Sequence, residues 1–274
     1  MTTRTQWLEA RRKGLGGSDI LAAAGLSRYK TPLQLWRDKI GEAPPEKRSA
    51  ALNAAAERGN ILEPMALRWL ARVTGFAVRH NGWWLDRPDD RGEEWETNND
   101  VVCYHPQFSE VPIRGNLDGE ITARVAERVR TEQLDRYHSG WMVRGLRDEW
   151  HGQAEIKTTS YLTNAAKAAR RGKLALSYAA QQTAYYSATR ARWGLLVVWI
   201  GPADHNDWTP TDCRKVLLEH EPNPRAIELV EQIATDFWAF VRDRREPSYR
   251  HHKSAEQLQR ALEQMRVRPC KLRP

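Results

Sequence analysis

The stretch "HGQAEIKTTS", residues 151–160, decides the fold: it reads as a strand, and it puts Glu155 and Lys157 two residues apart, on one face. At a surface the two would form an ordinary ion pair that contributes little. Inside a protein they need further partners, because charges taken out of water must be compensated by other charges and hydrogen bonds. Those partners have to come from elsewhere in the chain.

Upstream, "RGNLDGEI", residues 114–121, reads as two strand pieces around a turn at Asn116–Gly119, with Asp118 at the strand-turn junction. If this region pairs with the Glu155 strand, two carboxylates converge beside one ammonium. Hard oxygen ligands of that kind suit Mg2+ or Mn2+, which also bind phosphate oxygens, and the Ile156 carbonyl between the two charges can supply a further ligand. A cation so held acidifies its water and neutralises charge on phosphorus. Lys157, which cannot ligate while protonated, would orient the attacking water or stabilise the developing charge.

Composition narrows the class. The chain has 274 residues, 41% hydrophobic and 28% charged, long enough for one large domain or two small ones. No apolar run approaches the ~18 residues that span a bilayer, and the start MTTRTQWLEARRKG has no hydrophobic signal core, so a cytoplasmic protein is expected. Cys103, Cys213 and Cys270 stand far apart without a CxxC pair, which argues against a disulfide framework and against a cysteine-rich zinc or iron-sulfur site. Forty-three Lys and Arg against 35 acids leave a net charge of +8, which favours a polyanionic partner such as nucleic acid.

Along the chain the first segment reads as a short helix, a glycine turn at Gly14, Gly16 and Gly17, and a helix opened by Ser18 or Asp19. Residues 32–40 predict a helix with Pro32 in its first turn and Gly41 at its end. Residues 50–74 are helical by periodicity, with Pro64 placed in a first turn and Glu63 therefore at a helix entrance. Strands with an Asn81-Gly82 turn follow. Residues 161–172 and 175–189 predict two helices, Leu195–Ile200 a buried central strand, and residues 223–245 a long helix. The expected domain is 1–246 with an insertion at 121–152, and 247–274 is a basic tail or peripheral helix. The order predicts an α/β or α+β fold.

"LDG" followed by "EIK" resembles the motif of the PD-(D/E)XK nucleases, whose restriction-endonuclease-like core is an α/β fold with a mixed central sheet flanked by helices. With "WLEARRKGLGGSDILAAAGLSRYKTPLQLW", "ERGNILEPMALRWLARVTG" and "YAAQQTAYY" in order, the chain is similar to the YqaJ viral recombinase family, relatives of lambda exonuclease. The resemblance implies that Asp118, Glu155 and the Ile156 carbonyl hold the principal metal, that Glu63 reaches a second metal or its waters, and that Lys157 acts on the nucleophile. It assigns Gln181 to orienting water and lysine; Thr183 stands where the family repeats the glutamine. It also implies a 5′-phosphate pocket from Arg12, or else Arg11, with Ser18, which a glycine turn before a helix N-terminus suits. Asn116 stands where relatives carry a serine and could still donate to phosphate.

Arg28 and Lys30 flank Tyr29 on an expected loop and are further DNA candidates, as are Arg170, Arg171 and Lys173. Most of the twelve tryptophans fit apolar core patterns better than base stacking. The function implied is a Mg2+-dependent 5′→3′ exonuclease on linear double-stranded DNA in phage-type recombination. Its implied partners are DNA ends, a single-strand annealing protein and a homo-oligomer. The rivals are a structure-specific endonuclease or Cas4-like nuclease, and a catalytically silent DNA-binding module.

Overall fold

The computed structural model describes residues 9, 11–44, 49–74, 76–80, 83–85, 100–105, 108–122, 151–189, 191–202, 210–247 and 251–271. Its centre is a mixed seven-stranded sheet. The strands are β2 (Ala77–His80), β3 (Trp83–Leu85), β6 (Gly119–Thr122), β7 (His151–Ser160), β8 (Trp193–Gly201), β9 (Arg214–His220) and β10 (Val267–Pro269). Their spatial order is β10-β9-β8-β7-β6-β2-β3. β7 and β8 run parallel, from Gly152 opposite Trp193 to Ser160 opposite Gly201, and the other pairs are antiparallel. β8 is buried along its whole length, as an uninterrupted apolar run in mid-sheet requires.

A three-stranded sheet stands apart from this one, made of β1 (Leu15–Gly16), β4 (Asp100–His105) and β5 (Phe108–Asn116) in the order β1-β5-β4. The two strand pieces expected around Asp118 therefore belong to different sheets: β5 ends at Asn116 in one, and β6 begins at Gly119 in the other. Asp118 is the hinge between them.

The helices are α1 (Ile20–Ala23), α2 (Pro32–Lys39), α3 (Ala50–Thr74), α4 (Asn164–Arg170), α5 (Leu176–Thr189), α6 (Pro224–Arg242) and α7 (Ala255–Glu263). Thr31 caps α2 by accepting from the Gln34 amide, and Gly41 beyond it takes φ +83°, a value that favours glycine. α3 packs Leu62, Ala66, Leu67 and Leu70 against Ala154, Ile156 and Val197 of the sheet. The alternate residues of β8, Leu196, Val198 and Ile200, meet Ala166 and Ala169 of α4. The helical core beyond joins Ala180 and Ala184 of α5 to Leu229, Ile233 and Phe237 of α6 and Leu258 and Leu262 of α7.

Four expectations change. α3 runs without a break through Pro64, so Glu63 sits mid-helix and not at an entrance; the Asn60 carbonyl loses its amide donor there, a cost the packed turns on the C-terminal side outweigh. Asp19 opens α1 but makes no side-chain cap, because its carboxylate is taken by other groups described below. The bounds expected for an insertion, 121–152, change, since Ile121 and Thr122 pair with Gly152 and His151; residues 123–150 lie outside the described residues. Finally, the segment expected as a peripheral tail is in the core: Leu258 and Leu262 are buried, and β10 adds an edge strand to the sheet. An apolar stripe of only nine helical residues was too short a signal against so many basic neighbours.

Candidate active site

β7 positions the site by alternation. Ala154 and Ile156 point to the α3 side and join its core, so Gln153, Glu155 and Lys157 point to the other, toward α5. There Gln181 Nε2 donates to Glu155 Oε1 at 2.7 Å and lies 2.8 Å from the Tyr185 hydroxyl, one helical turn on. Lys157 Nζ donates to the same Glu155 oxygen. One step back along the strand, Gln153 Nε2 donates to the Gln182 backbone carbonyl at 3.1 Å and to its side-chain oxygen at 2.9 Å. Adjacent glutamines thus do different jobs, Gln181 facing the acid and Gln182 holding helix to strand.

Asp118 arrives from the opposite side. β6 begins at Gly119, opposite Ala154, and just before it, where a preceding rung would form, the Asp118 carboxylate accepts the Ile156 amide at 2.8 Å. In an extended strand the N–H and C=O of one residue face the same edge, so the Ile156 carbonyl faces the Asp118 side too. Gly119 is tightly packed here: a Cβ on it would lie 2.8 Å from Leu67 Cδ2 and 3.2 Å from Ala154 Cβ, so Leu67 would have to shift.

Electrostatics bind Glu63 into the same group. Burial, and then the Asp118 charge, push the Glu63 carboxyl up to about 7, with Lys157 pulling the other way. Burial and Asp118 likewise push Glu155 up to about 8, opposed by Lys157 and its hydrogen bond and reinforced by Glu63. Burial opposes the charge on Lys157, yet Glu155 and then Asp118 raise its pKa above the ordinary value, so it stays protonated. Tyr185 is raised by burial and by Glu155, and its hydroxyl stays neutral beside them.

Hydrogen bonds therefore bring Asp118, Glu155, Lys157 and Gln181 together around Ile156, and Glu63 feels the charges of Asp118 and Lys157. Among the described residues no three His, Cys, Asp or Glu side chains stand close enough to form a ready-made metal shell. The donor chemistry nonetheless fits a hard divalent cation. The acids raise one another's proton affinity, which is a local demand for positive charge, and Glu155 Oε2 is buried without a hydrogen-bond partner among the described residues.

A second cluster adjoins the first. The glycine turn, Gly16–Gly17, presses on α5 so closely that a Cβ on Gly17 would lie 2.8 Å from Gln181 Cγ. At this turn Ser18 is exposed, and the arginine on it is Arg11, whose Nη2 donates to Ser18 Oγ at 3.2 Å. Arg12 is exposed and makes no such contact among the bonds of the described residues, so of the two arginines expected beside Ser18 it is Arg11 that meets it. Residues 11 and 12 are helical, and successive helical side chains diverge by about 100°, so only one can face the turn. Asp19 beneath is held below the ordinary carboxylate pKa by Lys39 and Arg11, against its burial.

Other candidates divide. Arg28 is exposed and lies on Tyr29, with Nη2 2.6 Å from its hydroxyl, while Lys30 is already paired with Asp38 at 3.1 Å. Asn116 closes β5 opposite Asp100. Thr183 does not face the site: its hydroxyl donates to the Ala179 carbonyl, and its neighbour is Met265. Arg170 stacks on Tyr161, 3.8 Å from the ring centroid. Trp36, Trp193 and Trp199 are buried in the core as expected. Sequence reasoning passed over Tyr178 and Tyr185, although their spacing of three and four from Gln181 marks one helical face. Tyr178 has its ring centroid 5.8 Å from Lys157 Nζ.

Fold and site define a mixed α/β class, a central mixed sheet flanked by helices, with strand-borne acids and a lysine set against a helix-borne glutamine. Within it, the chain belongs to the family of the YqaJ-like viral recombinase domain, which matches residues 6–192. It is 38% identical over 87 residues to the protein YqaJ of Bacillus subtilis (strain 168); the match takes in 32% of this chain and 26% of that protein, so the chain spans about a quarter of the length of its curated relative. In fold it is similar to an alkaline exonuclease, LHK-Exo, from Laribacter hongkongensis, with a TM-score of 0.54 at 17% identity over 93% of this chain and 96% of the other. The structure of LHK-Exo in complex with dAMP gives a TM-score of 0.53 at 16% identity over the same shares.

Proposed function

We propose that this chain is a Mg2+-dependent deoxyribonuclease that degrades one strand of linear double-stranded DNA in the 5′→3′ direction, in phage-type recombination. The observation that carries the reading is the hydrogen-bonded set on β7: Lys157 and Gln181 both donate to Glu155, and the Asp118 carboxylate accepts the amide of Ile156, the residue between Glu155 and Lys157. Membership of a viral recombinase family and a fold shared with an alkaline exonuclease, itself seen with a mononucleotide, support it.

Asp118, Glu155 and the Ile156 carbonyl would hold the cation, with Glu63 at a second ion or its waters; Mn2+ is a plausible substitute. When bound, the cation supplies an acidified water and neutralises phosphate charge. Water attacks phosphorus, the P–O3′ bond breaks, and the fragment left behind keeps the 5′-phosphate. Lys157, held protonated by its neighbours, offers positive charge to the phosphorus centre as negative charge grows on its oxygens. Gln181 keeps Glu155 oriented through that change. The half-buried Arg11 and the exposed Ser18 beside the glycine turn offer a guanidinium and a hydroxyl to the 5′-phosphate left by each cut. A single-strand annealing protein and a homo-oligomeric state belong to the same proposal.

Digestion of linear against covalently closed duplex, with Mg2+ and with EDTA, tests it. Mg2+-dependent loss of linear DNA alone is expected. Nicking of closed circles would make the chain an endonuclease, and equal digestion by wild type and Asp118→Ala would remove the assignment.

A further inference from the structure

Lys39 takes no part in the chemistry described so far, yet its ammonium is among the most deeply placed charges of the fold. Its side chain is 2% exposed, and Nζ donates to Asp19 Oδ2 at 2.7 Å and to the backbone carbonyl of Arg11 at 2.8 Å. The same Asp19 oxygen accepts the Gly16 amide at 3.0 Å. The other Asp19 oxygen lies 3.6 Å from Arg11 Nη2, which itself donates to Ser18. Two buried charges thus tie together the segment that carries Arg11, the glycine turn and helix α2.

Stability alone does not account for such a pair. A buried ion pair contributes about as much as, or less than, apolar side chains of the same volume, because desolvation offsets the attraction. What an apolar pair cannot do is hold a carbonyl, an amide and a guanidinium in one arrangement. The turn so held presses on Gln181 on one side and on the other presents Ser18 to solvent, with the half-buried Arg11 donating to it.

We propose that Lys39 is a positioning residue for recognition of a DNA 5′-phosphate: through Asp19 and the Arg11 carbonyl it fixes the Arg11 guanidinium and the Ser18 hydroxyl at the spacing that a terminal phosphate takes. Lys39 does not touch the phosphate itself. The inference rests on the phosphate pocket of the proposed function and adds the group that shapes it.

The test is binding without hydrolysis. Fluorescence anisotropy in EDTA compares a duplex carrying a 5′-phosphate with the same duplex ending in a hydroxyl, and the ratio of the two affinities is read. Wild type is expected to prefer the phosphate. Lys39→Met is expected to lower that preference by about tenfold, the effect of losing one charge-assisted contact. Should Lys39→Met fail to fold, Asp19→Asn/Lys39→Met removes both charges together and carries the same expectation. A folded variant that keeps the wild-type ratio, even with a lower melting temperature, overturns the inference, since a merely structural role weakens both affinities alike. So does a wild type with no preference. A wild type that prefers the phosphate but hydrolyses nothing with Mg2+ sinks the nuclease and leaves the role of Lys39 standing.

Discussion

Glu155 sits 1% exposed between a lysine, a glutamine and two further acids, and its protonation decides the stability of the site. Its folded pKa of about 8, and that of Glu63 at about 7, lie above the ordinary 4.5. Between these limits the folded chain binds more protons than the unfolded one, so stability falls as pH rises through the window and the full penalty is present above it. In EDTA the melting temperature should therefore decline from about pH 5 to about pH 9. Glu155→Gln should flatten that slope, and Mg2+ should raise the melting temperature more at the alkaline end; a slope that Glu155→Gln leaves untouched would mean that other groups set it. Lys157 carries the complementary prediction. Lys157→Met removes the ammonium proposed to face the scissile phosphate, and turnover should drop by roughly 10²–10³-fold, as when one donor to a developing oxyanion is lost, with DNA binding in EDTA nearly unchanged.

At the scale of elements, the site depends on how closely the glycine turn and α5 approach. An added methyl at residue 17 would sit 2.8 Å from Gln181 Cγ and 3.1 Å from that residue's Cα and carbonyl oxygen, and backbone cannot yield as a side-chain tip can. Gly17→Ala should cost about 1–3 kcal/mol in urea unfolding and should also lower turnover by moving Gln181 from Glu155; full activity at wild-type stability would show that the turn is looser than this packing. The sequence made some elements legible because their signals are local: Pro32 and Gly41 bracket α2, and the apolar run of β8 marks a central strand. The acids, lysine and glutamine were legible as an ordered set of motifs. Local signals do not reach Pro64, tolerated inside α3 because the turns after it are packed against the sheet. Nor do they choose between Arg11 and Arg12, which differ only in helical phase. Partition of β5 and β6 into separate sheets is a long-range pairing that no turn residue announces.

For the molecule as a whole, the C-terminal segment closes the helical core as an integral part. The His252 amide donates to the Ala24 carbonyl at 3.0 Å, Asn223 Nδ2 to the Ala261 carbonyl at 2.8 Å, and the Cys270 amide to Leu217 at 2.9 Å, so residues 251–271 are tied to α1, to the N-cap of α6 and to β9. Leu258, Leu262 and Met265 are each under a tenth exposed and pack in the cluster that holds α1, α5 and α6. Burying side chains of this size stabilises by roughly 1.5–3 kcal/mol apiece, so three of them rival the low end of the ~5–15 kcal/mol that keeps a domain folded. Their loss would also bare the β9 edge and the apolar faces of α5 and α6. A chain ending at residue 247 keeps every candidate site residue, yet it should be insoluble or should lack a cooperative thermal transition, and should show no nuclease activity. Leu258→Ala in the 274-residue chain should lower stability by about 2–5 kcal/mol by denaturant titration. A soluble, cooperatively melting truncation would mean that the helical core closes without α7.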